Sequence, residues 1–168
     1  MLGQQNIRPP TASQTILVVS DQAALTAQCR GVLRDAGFAV LEADGSSEAL
    51  KICTQHEGAI DLLLTDLILP PPGFQLASSS NQFPHVHGYE LAIRAATIRP
   101  GLRVILMCRD RDKELASHGI TRTTLPILTK PFDQKRLPSL VQEVFTKPVP
   151  DLDPSGQGKA ANDAEWFG

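Results

Sequence analysis

The 168-residue sequence lacks a long hydrophobic run, which argues against a membrane-spanning segment. Its most apolar stretch, residues 59–69, is interrupted by Asp61 and Asp66 and falls well short of the roughly 20 apolar residues that span a membrane. The N-terminal segment has no apolar core behind a basic start, which argues against a secretory signal. We therefore predict a cytoplasmic protein without a membrane partner.

The sequence also lacks an excess of charge and a cysteine framework. It has 16 basic and 18 acidic residues, for a net charge of −2. Because affinity for nucleic acid comes from clustered lysine and arginine, this balance argues against direct nucleic-acid binding. The three cysteines, Cys29, Cys53 and Cys108, are odd in number and widely spaced. That pattern favours reduced thiols in a core over disulfides.

What the sequence does contain is enough apolar material, 42% of residues, for one core. Polar residues 1–14 predict a flexible N-terminal arm, and residues 147–168, rich in Pro, Gly and Asp, predict a disordered C-terminal tail. The tail contains Trp166-Phe167, which is an unstructured end, a short docking motif or an aromatic pair that folds back on the domain. The folded domain is therefore expected over residues 15–146.

Within that domain, short apolar runs alternate with helical stripes. The runs that predict strands cover residues 15–20, 38–41, 61–65, 102–108 and 125–129. The second helix is expected to begin with cap chemistry at residues 44–47, and Pro138 must lie in the first turn of the last helix or kink it. This alternation predicts an α/β fold, a doubly wound parallel sheet with helices on both faces.

In such folds the functional site lies outside the carboxyl ends of the strands. The residues at the carboxyl ends of the predicted strands, or just past them, are Ser20, Asp21, Asp66, Cys108, Arg109, Lys130 and Pro131. Two carboxylates that converge at one edge favour a divalent cation such as Mg²⁺, and an ammonium group suits a phosphoryl group. Because an ionised carboxylate can act as a nucleophile, this set indicates phosphoryl transfer onto an aspartate.

Five segments carry a family resemblance: residues 16–21, 61–70, 88–91, 103–108 and 128–132. Together they resemble the receiver domain of two-component response regulators over about residues 14–146. The resemblance implies a flavodoxin-like sheet with strand order 2-1-3-4-5.

The resemblance also implies roles for individual residues. Asp66 would accept the phosphoryl group, and Asp21 and Asp66 would bind Mg²⁺ with the main-chain carbonyl of Ile68. Lys130 would contact the phosphoryl oxygens, and a cis peptide bond would precede Pro131.

Four positions depart from the family pattern. Ser20 replaces an acid that normally reaches the metal through water, so its contribution would be indirect and weak, and Mg²⁺ binding should weaken. Cys108 stands where a hydroxyl switch residue is usual, and a thiol is a poor hydrogen-bond donor. Arg109 replaces a tiny residue and either shields the pocket or pairs with phosphate. Ile127 replaces the aromatic switch residue.

An insertion over residues 71–87 separates Pro70 from Gly88. Loops this long are usually functional or disordered, so we leave open a tolerated disordered segment, a lid or a docking loop. Its two histidines, His85 and His87, fall short of a zinc pattern.

We therefore expect a single-domain receiver that signals by protein contact and is no enzyme, beyond assisting its own aspartyl phosphorylation. The phosphodonor would be a sensor histidine kinase or a phosphotransfer protein. The alternative is a degenerate receiver that acts as a phosphorylation-independent interaction module. Haloacid-dehalogenase chemistry is excluded because it needs two aspartates two residues apart after the first strand, and a flavodoxin-type FMN loop is missing. The 22-residue tail has no room for a nucleic-acid-binding effector domain.

Overall fold

Five short strands form one parallel sheet in the computed structural model, which describes residues 13–69, 86–120 and 123–149. The strands are β1 (Thr15–Val19), β2 (Ala39–Ala43), β3 (Leu62–Asp66), β4 (Arg103–Cys108) and β5 (Ile127–Thr129). Their order across the sheet is β2-β1-β3-β4-β5, and all four neighbouring pairs are parallel. The expected fold class and strand order are confirmed.

Five helices cover the two faces of this sheet. They are α1 (Ala23–Asp35), α2 (Ser46–Gln55), α3 (Gly88–Ile98), α4 (Arg111–Ser117) and α5 (Arg136–Phe145). Successive strand residues point to opposite faces. In β1, Ile16 and Val18 therefore pack with α1 and α5, whereas Leu17 and Val19 pack with α2 and α3. Two cores result, one on each face of the sheet.

Most local signals act as the sequence predicts. Gly37 follows α1 with a φ of 99°, a conformation that favours glycine, and Pro138 lies in the first turn of α5. Two details differ. The strand β5 begins at Ile127 and not at residue 125, and the N-cap of α2 is Gly45, which has no side-chain cap. The Glu48 side chain instead accepts a hydrogen bond from the main-chain N–H of Asp44 at 3.0 Å.

The predicted arm, insertion and tail fall largely outside the described residues. The last two residues of the insertion are described, and both contact the domain. The main-chain N–H of Val86 donates to Ser46 Oγ at 2.8 Å, and His87 Nδ1 accepts from the main-chain N–H of Glu90 at 3.3 Å. His87 is thus the N-cap of α3. In the described ranges, no helix is long and apolar enough to cross a membrane.

Candidate functional site

The sheet topology brings three chemically important side chains to one edge. Asp66 is the last residue of β3, Ser20 directly follows β1, and Lys130 directly follows β5. Because β1 and β4 flank β3 and all strands are parallel, their carboxyl ends meet at this edge. This placement agrees with the sequence expectation for all three residues.

Asp66 is the centre of the site and is only 2% exposed. Its Oδ1 accepts a hydrogen bond from Lys130 Nζ at 2.8 Å, and its Oδ2 accepts one from Ser20 Oγ at 2.6 Å. Burial raises the pKa of the Asp66 carboxyl above its ordinary value, the hydrogen bonds from Lys130 and Ser20 oppose this rise, and the charge of Asp21 adds to it. The carboxylate is therefore held in a dry environment by two donors.

Lys130 is positioned by a main-chain hydrogen bond to β4 and is followed by a cis peptide bond. Its N–H donates to the carbonyl oxygen of Cys108 at 2.7 Å, which extends the β4–β5 ladder. The Lys130–Pro131 peptide bond is cis, as the resemblance implied. The ammonium group, with 14% of the side chain exposed, forms a salt bridge with Asp66. The Lys130 ammonium group can therefore contact both the Asp66 carboxylate and a ligand that enters from solvent.

Ser20 lies at the end of β1 as expected, and its side chain makes a contact that the resemblance did not imply. The side chain is buried and bonds directly to the Asp66 carboxylate, and its indirect contact to a metal stays a prediction. Its Oγ also accepts the main-chain N–H of Gln22 at 3.1 Å. The sequence identified the residue but not this bond, because side-chain orientation depends on neighbours that residue type does not reveal.

Gly88 is part of the site for a steric reason that sequence reasoning did not state. It opens α3, and its N–H donates to the carbonyl oxygen of Leu67 at 2.9 Å. A Cβ at this position would overlap the carbonyl oxygen of Asp66 and lie 2.9 Å from the Cα of Leu67. Only glycine lets the start of α3 approach the main chain of the candidate acceptor this closely.

The three remaining positions lie at the ends of the neighbouring strands. Cys108 ends β4 and is 1% exposed, and burial raises the pKa of its thiol to about 11. Ile127 begins β5 and packs, half-buried, against the core on the α2 and α3 face. Arg109 is exposed, and its main-chain N–H donates to Glu114 Oε2 at 3.2 Å. At neutral pH Cys108 is thus a protonated thiol beside the site.

A cleft of about 460 Å³ opens beside Lys130. Its lining residues are Gln22, Leu25, Gln28, Arg109, Lys130, Pro131 and Phe132. Two of these residues, Arg109 and Lys130, are basic, so the cleft suits an anionic ligand that approaches the Asp66 carboxylate.

The oxygen donors near Asp66 fit a sparse magnesium site. Mg²⁺ takes one or two protein carboxylates and keeps several waters. Asp66 would supply one carboxylate and exposed Asp21, at the end of the neighbouring strand, a second; Ile68 lies two residues after the end of β3. Within the described part of the chain, no group of three His, Cys, Asp or Glu side chains is placed to hold a metal ion. The site therefore suits a cation that relies mainly on water.

Comparisons with known proteins point to one family. A family model described as the response regulator receiver domain matches residues 16–142. A receiver protein from Sinorhizobium medicae WSM419 has a similar structure, with a TM-score of 0.64 and 26% identity over 81% of this chain and 97% of that chain. The receiver domain of the hybrid histidine kinase CckA gives a TM-score of 0.57 and 28% identity over 77% and 96%.

Curated relatives are longer proteins. The transcriptional regulator NtrC of Azospirillum brasilense is 27% identical over 139 residues, which are 83% of this chain and 26% of NtrC. The sensor kinase CckA of Brucella abortus is 24% identical over 137 residues, which are 82% of this chain and 13% of the kinase. The chain thus spans about a quarter or less of the length of these relatives.

Proposed function

This chain belongs to the family of response regulator receiver domains, and from that premise we propose that Asp66 accepts a phosphoryl group. The observation that carries the proposal is the buried contact between Lys130 Nζ and Asp66 Oδ1 at 2.8 Å. A buried carboxylate beside a fixed ammonium group is placed to attack a phosphorus atom while the cation offsets the charge on the phosphoryl oxygens.

The step itself is a transfer between two side chains. A carboxylate oxygen of Asp66 forms a bond to phosphorus, the bond from phosphorus to the donor histidine nitrogen breaks, and the electron pair leaves with the imidazole. Asp66 becomes an acyl phosphate, and Lys130 stays within reach of its new oxygens. A bound Mg²⁺ would supply further neutralisation of charge, held by Asp66, Asp21 and the main-chain carbonyl of Ile68.

We propose a sensor histidine kinase or a phosphotransfer protein as the donor and a further protein as the receiver of the signal. The support is the family, together with the basic cleft next to Lys130, where a phosphorylated side chain can enter. The chain assists its own modification and turns over no other substrate in this proposal. A cytoplasmic location remains a prediction.

The direct test is phosphorylation by a small donor, phosphoramidate, with Mg²⁺ and detection by intact mass. We expect the mass to rise by one phosphoryl group in the wild type and to stay unchanged in Asp66→Asn. Transfer in Asp66→Asn, or hydroxylamine-resistant modification of the wild type, would contradict an acyl phosphate on Asp66.

One observation favours a second candidate, the degenerate receiver. Both carboxylate oxygens of Asp66 already accept hydrogen bonds, and Cys108 and Ile127 replace the usual switch side chains. If a folded protein takes no phosphoryl group from either a small donor or a phosphorylated histidine kinase, the phosphorylation-independent interaction module becomes the better function.

A further inference from the structure

We propose that Ser20 is a positioning residue that competes with the divalent cation for Asp66 Oδ2 and so holds the acceptor in a metal-free resting state. This inference rests on the proposed function, because it concerns how the same carboxylate becomes ready to react. It goes beyond the loss of an acidic ligand, since it gives the hydroxyl an activity of its own.

The orientation of the Ser20 hydroxyl carries the argument. A serine hydroxyl has one proton and two lone pairs. The main-chain N–H of Gln22 donates to Oγ at 3.1 Å, which leaves the proton for Asp66 Oδ2 at 2.6 Å. The latter distance lies in the short range of hydrogen bonds to an ionised oxygen. The hydroxyl proton is thus directed at the carboxylate.

The main chain of Ser20 has little freedom to move away. Its N–H donates to the carbonyl oxygen of Ala43 at 3.2 Å, and the residue is 3% exposed. Gln22 is the N-cap of α1, and its carbonyl oxygen accepts the main-chain N–H of Thr26 at 3.1 Å. The donor to Asp66 is therefore fixed between the end of β1 and the start of α1.

A cation shared by Asp21 and Asp66 has to bind Asp66 oxygens that already accept hydrogen bonds. Lys130 occupies Oδ1 and Ser20 occupies Oδ2. The positive end of the Ser20 hydroxyl dipole points at the oxygen that the cation needs, so the two compete. An acid at position 20 would attract the cation instead. Ser20 thus lowers both the affinity for Mg²⁺ and the need for it in the resting protein.

Two other roles for Ser20 make different predictions. A purely structural role, through the contact to the Gln22 N–H at the start of α1, would change stability but leave the metal affinity unchanged. A role as a metal ligand would make loss of the hydroxyl weaken Mg²⁺ binding. Only the proposed competition predicts that loss of the Ser20 hydroxyl tightens Mg²⁺ binding.

The experiment is a Mg²⁺ titration of the whole chain by calorimetry, combined with thermal unfolding in EDTA and in saturating Mg²⁺. For Ser20→Ala we expect a dissociation constant about three- to tenfold lower than in the wild type, the size of one modest hydrogen bond. The melting temperature should fall in EDTA and recover in Mg²⁺. Ser20→Thr, which retains a hydroxyl, should keep the wild-type affinity.

Thr65→Val is the matched control for loss of a buried hydroxyl. Thr65 is buried one residue before Asp66, and its Oγ1 donates to the carbonyl oxygen of Asp66 at 3.0 Å, not to the carboxylate. We expect this variant to lose stability equally in EDTA and in Mg²⁺ without a change in metal affinity.

Three results would overturn the proposal: unchanged affinity in Ser20→Ala, weaker affinity, or no measurable Mg²⁺ binding in either protein. The proposed function fails separately, through the mass measurement on the wild type and Asp66→Asn. A wild type that binds Mg²⁺ as expected but takes no phosphoryl group would leave Ser20 as a competitor at a site that is not a phosphoacceptor.

Discussion

The acceptor centre (Ser20, Asp66 and Lys130) and the switch region (Cys108 and Arg109 at the end of β4, with Ile127 at the start of β5) are built differently. In the acceptor centre the side chains bind one another, through bonds of 2.6 and 2.8 Å to one buried carboxylate. In the switch region Cys108 is a buried thiol, Ile127 packs on the core, and Arg109 is exposed.

If Asp66 accepts a phosphoryl group as proposed, this contrast predicts that accepting the group and reporting it are separable in this chain. The chemistry of acceptance needs a carboxylate and a cation at short range, and both are present in the acceptor centre. Reporting needs a side chain that moves when phosphate arrives, and a weak thiol donor and an aliphatic residue are poorly suited to that task. Changes in the acceptor centre should therefore have large effects on stability, and changes in the switch region small ones.

The largest effect is expected from Lys130→Met. It leaves the buried Asp66 carboxylate without its cation, and breaking such a pair costs about 3 kcal/mol. Urea unfolding at pH 7.5 measures this loss. Because protonation of Asp66 relieves the unpaired charge, the loss should shrink at pH 5, and Lys130→Met with Asp66→Asn should recover most of the stability. An equal loss at both pH values would show that packing of the lysine stem dominates.

Gly88→Ala should come next. The added Cβ would overlap the carbonyl oxygen of Asp66, so the start of α3 has to shift, at about 2 kcal/mol. Gly31→Ala is the matched control, because nothing lies within 4 Å of a Cβ at that position in α1. It should be neutral or slightly stabilising, since alanine has the higher helix propensity. Equal melting temperatures for the two variants would contradict the close approach of α3.

Asp66→Asn should stabilise the protein near neutral pH, by less than the losses expected for Lys130→Met and Gly88→Ala. Burial raises the pKa of the Asp66 carboxyl, so the folded protein holds this proton more tightly than the unfolded chain. The stability of the wild type therefore gains from Asp66 as the pH falls through the raised pKa. That gain is complete below the ordinary value of 3.8. The advantage of Asp66→Asn should shrink over the same window in thermal unfolding series.

The control for this pH series is Asp21→Asn, which removes an exposed carboxylate from the same edge. It should follow the wild type closely. A stabilisation by Asp66→Asn that does not depend on pH would exclude burial of the charge as its cause.

Strand and helix positions could be predicted from the sequence because hydrophobic period and strand ends are local properties. The ends of β1, β3 and β5 alone predict that Ser20, Asp66 and Lys130 lie at one edge of the sheet. The bond from Ser20 to Asp66 could not be predicted, since the orientation of the Ser20 side chain depends on neighbours that meet only in the folded sheet. The bond from the main-chain N–H of Val86 to Ser46 Oγ on α2, 40 positions away in the sequence, could not be predicted either.

Cys108→Ser tests the switch region, with a smaller expected effect. A serine hydroxyl donates a stronger hydrogen bond than a thiol, so the variant should respond more strongly to beryllofluoride, a phosphoryl mimic. Without the mimic, burying a hydroxyl in place of the thiol should cost about 1 kcal/mol. NMR shift changes on adding beryllofluoride provide the measurement. Cys53 on α2 is another buried thiol, and the control variant Cys53→Ser should leave the response unchanged. Equal shifts in the wild type, Cys108→Ser and Cys53→Ser would show that position 108 does not sense the mimic.

The smallest effect on stability is expected from Arg109→Ala. The side chain is exposed, so the free energy of unfolding should stay within about 0.5 kcal/mol of the wild type. Arg109 lines the cleft beside Lys130, and its charge should attract an anionic donor. We expect phosphorylation by phosphoramidate to slow by roughly twofold to tenfold at low ionic strength, and the rates to converge as salt screens the charge. Arg111→Ala removes the same charge from exposed α4 outside the cleft lining and should slow transfer less. A faster rate in Arg109→Ala at every salt concentration would instead identify Arg109 as a steric shield.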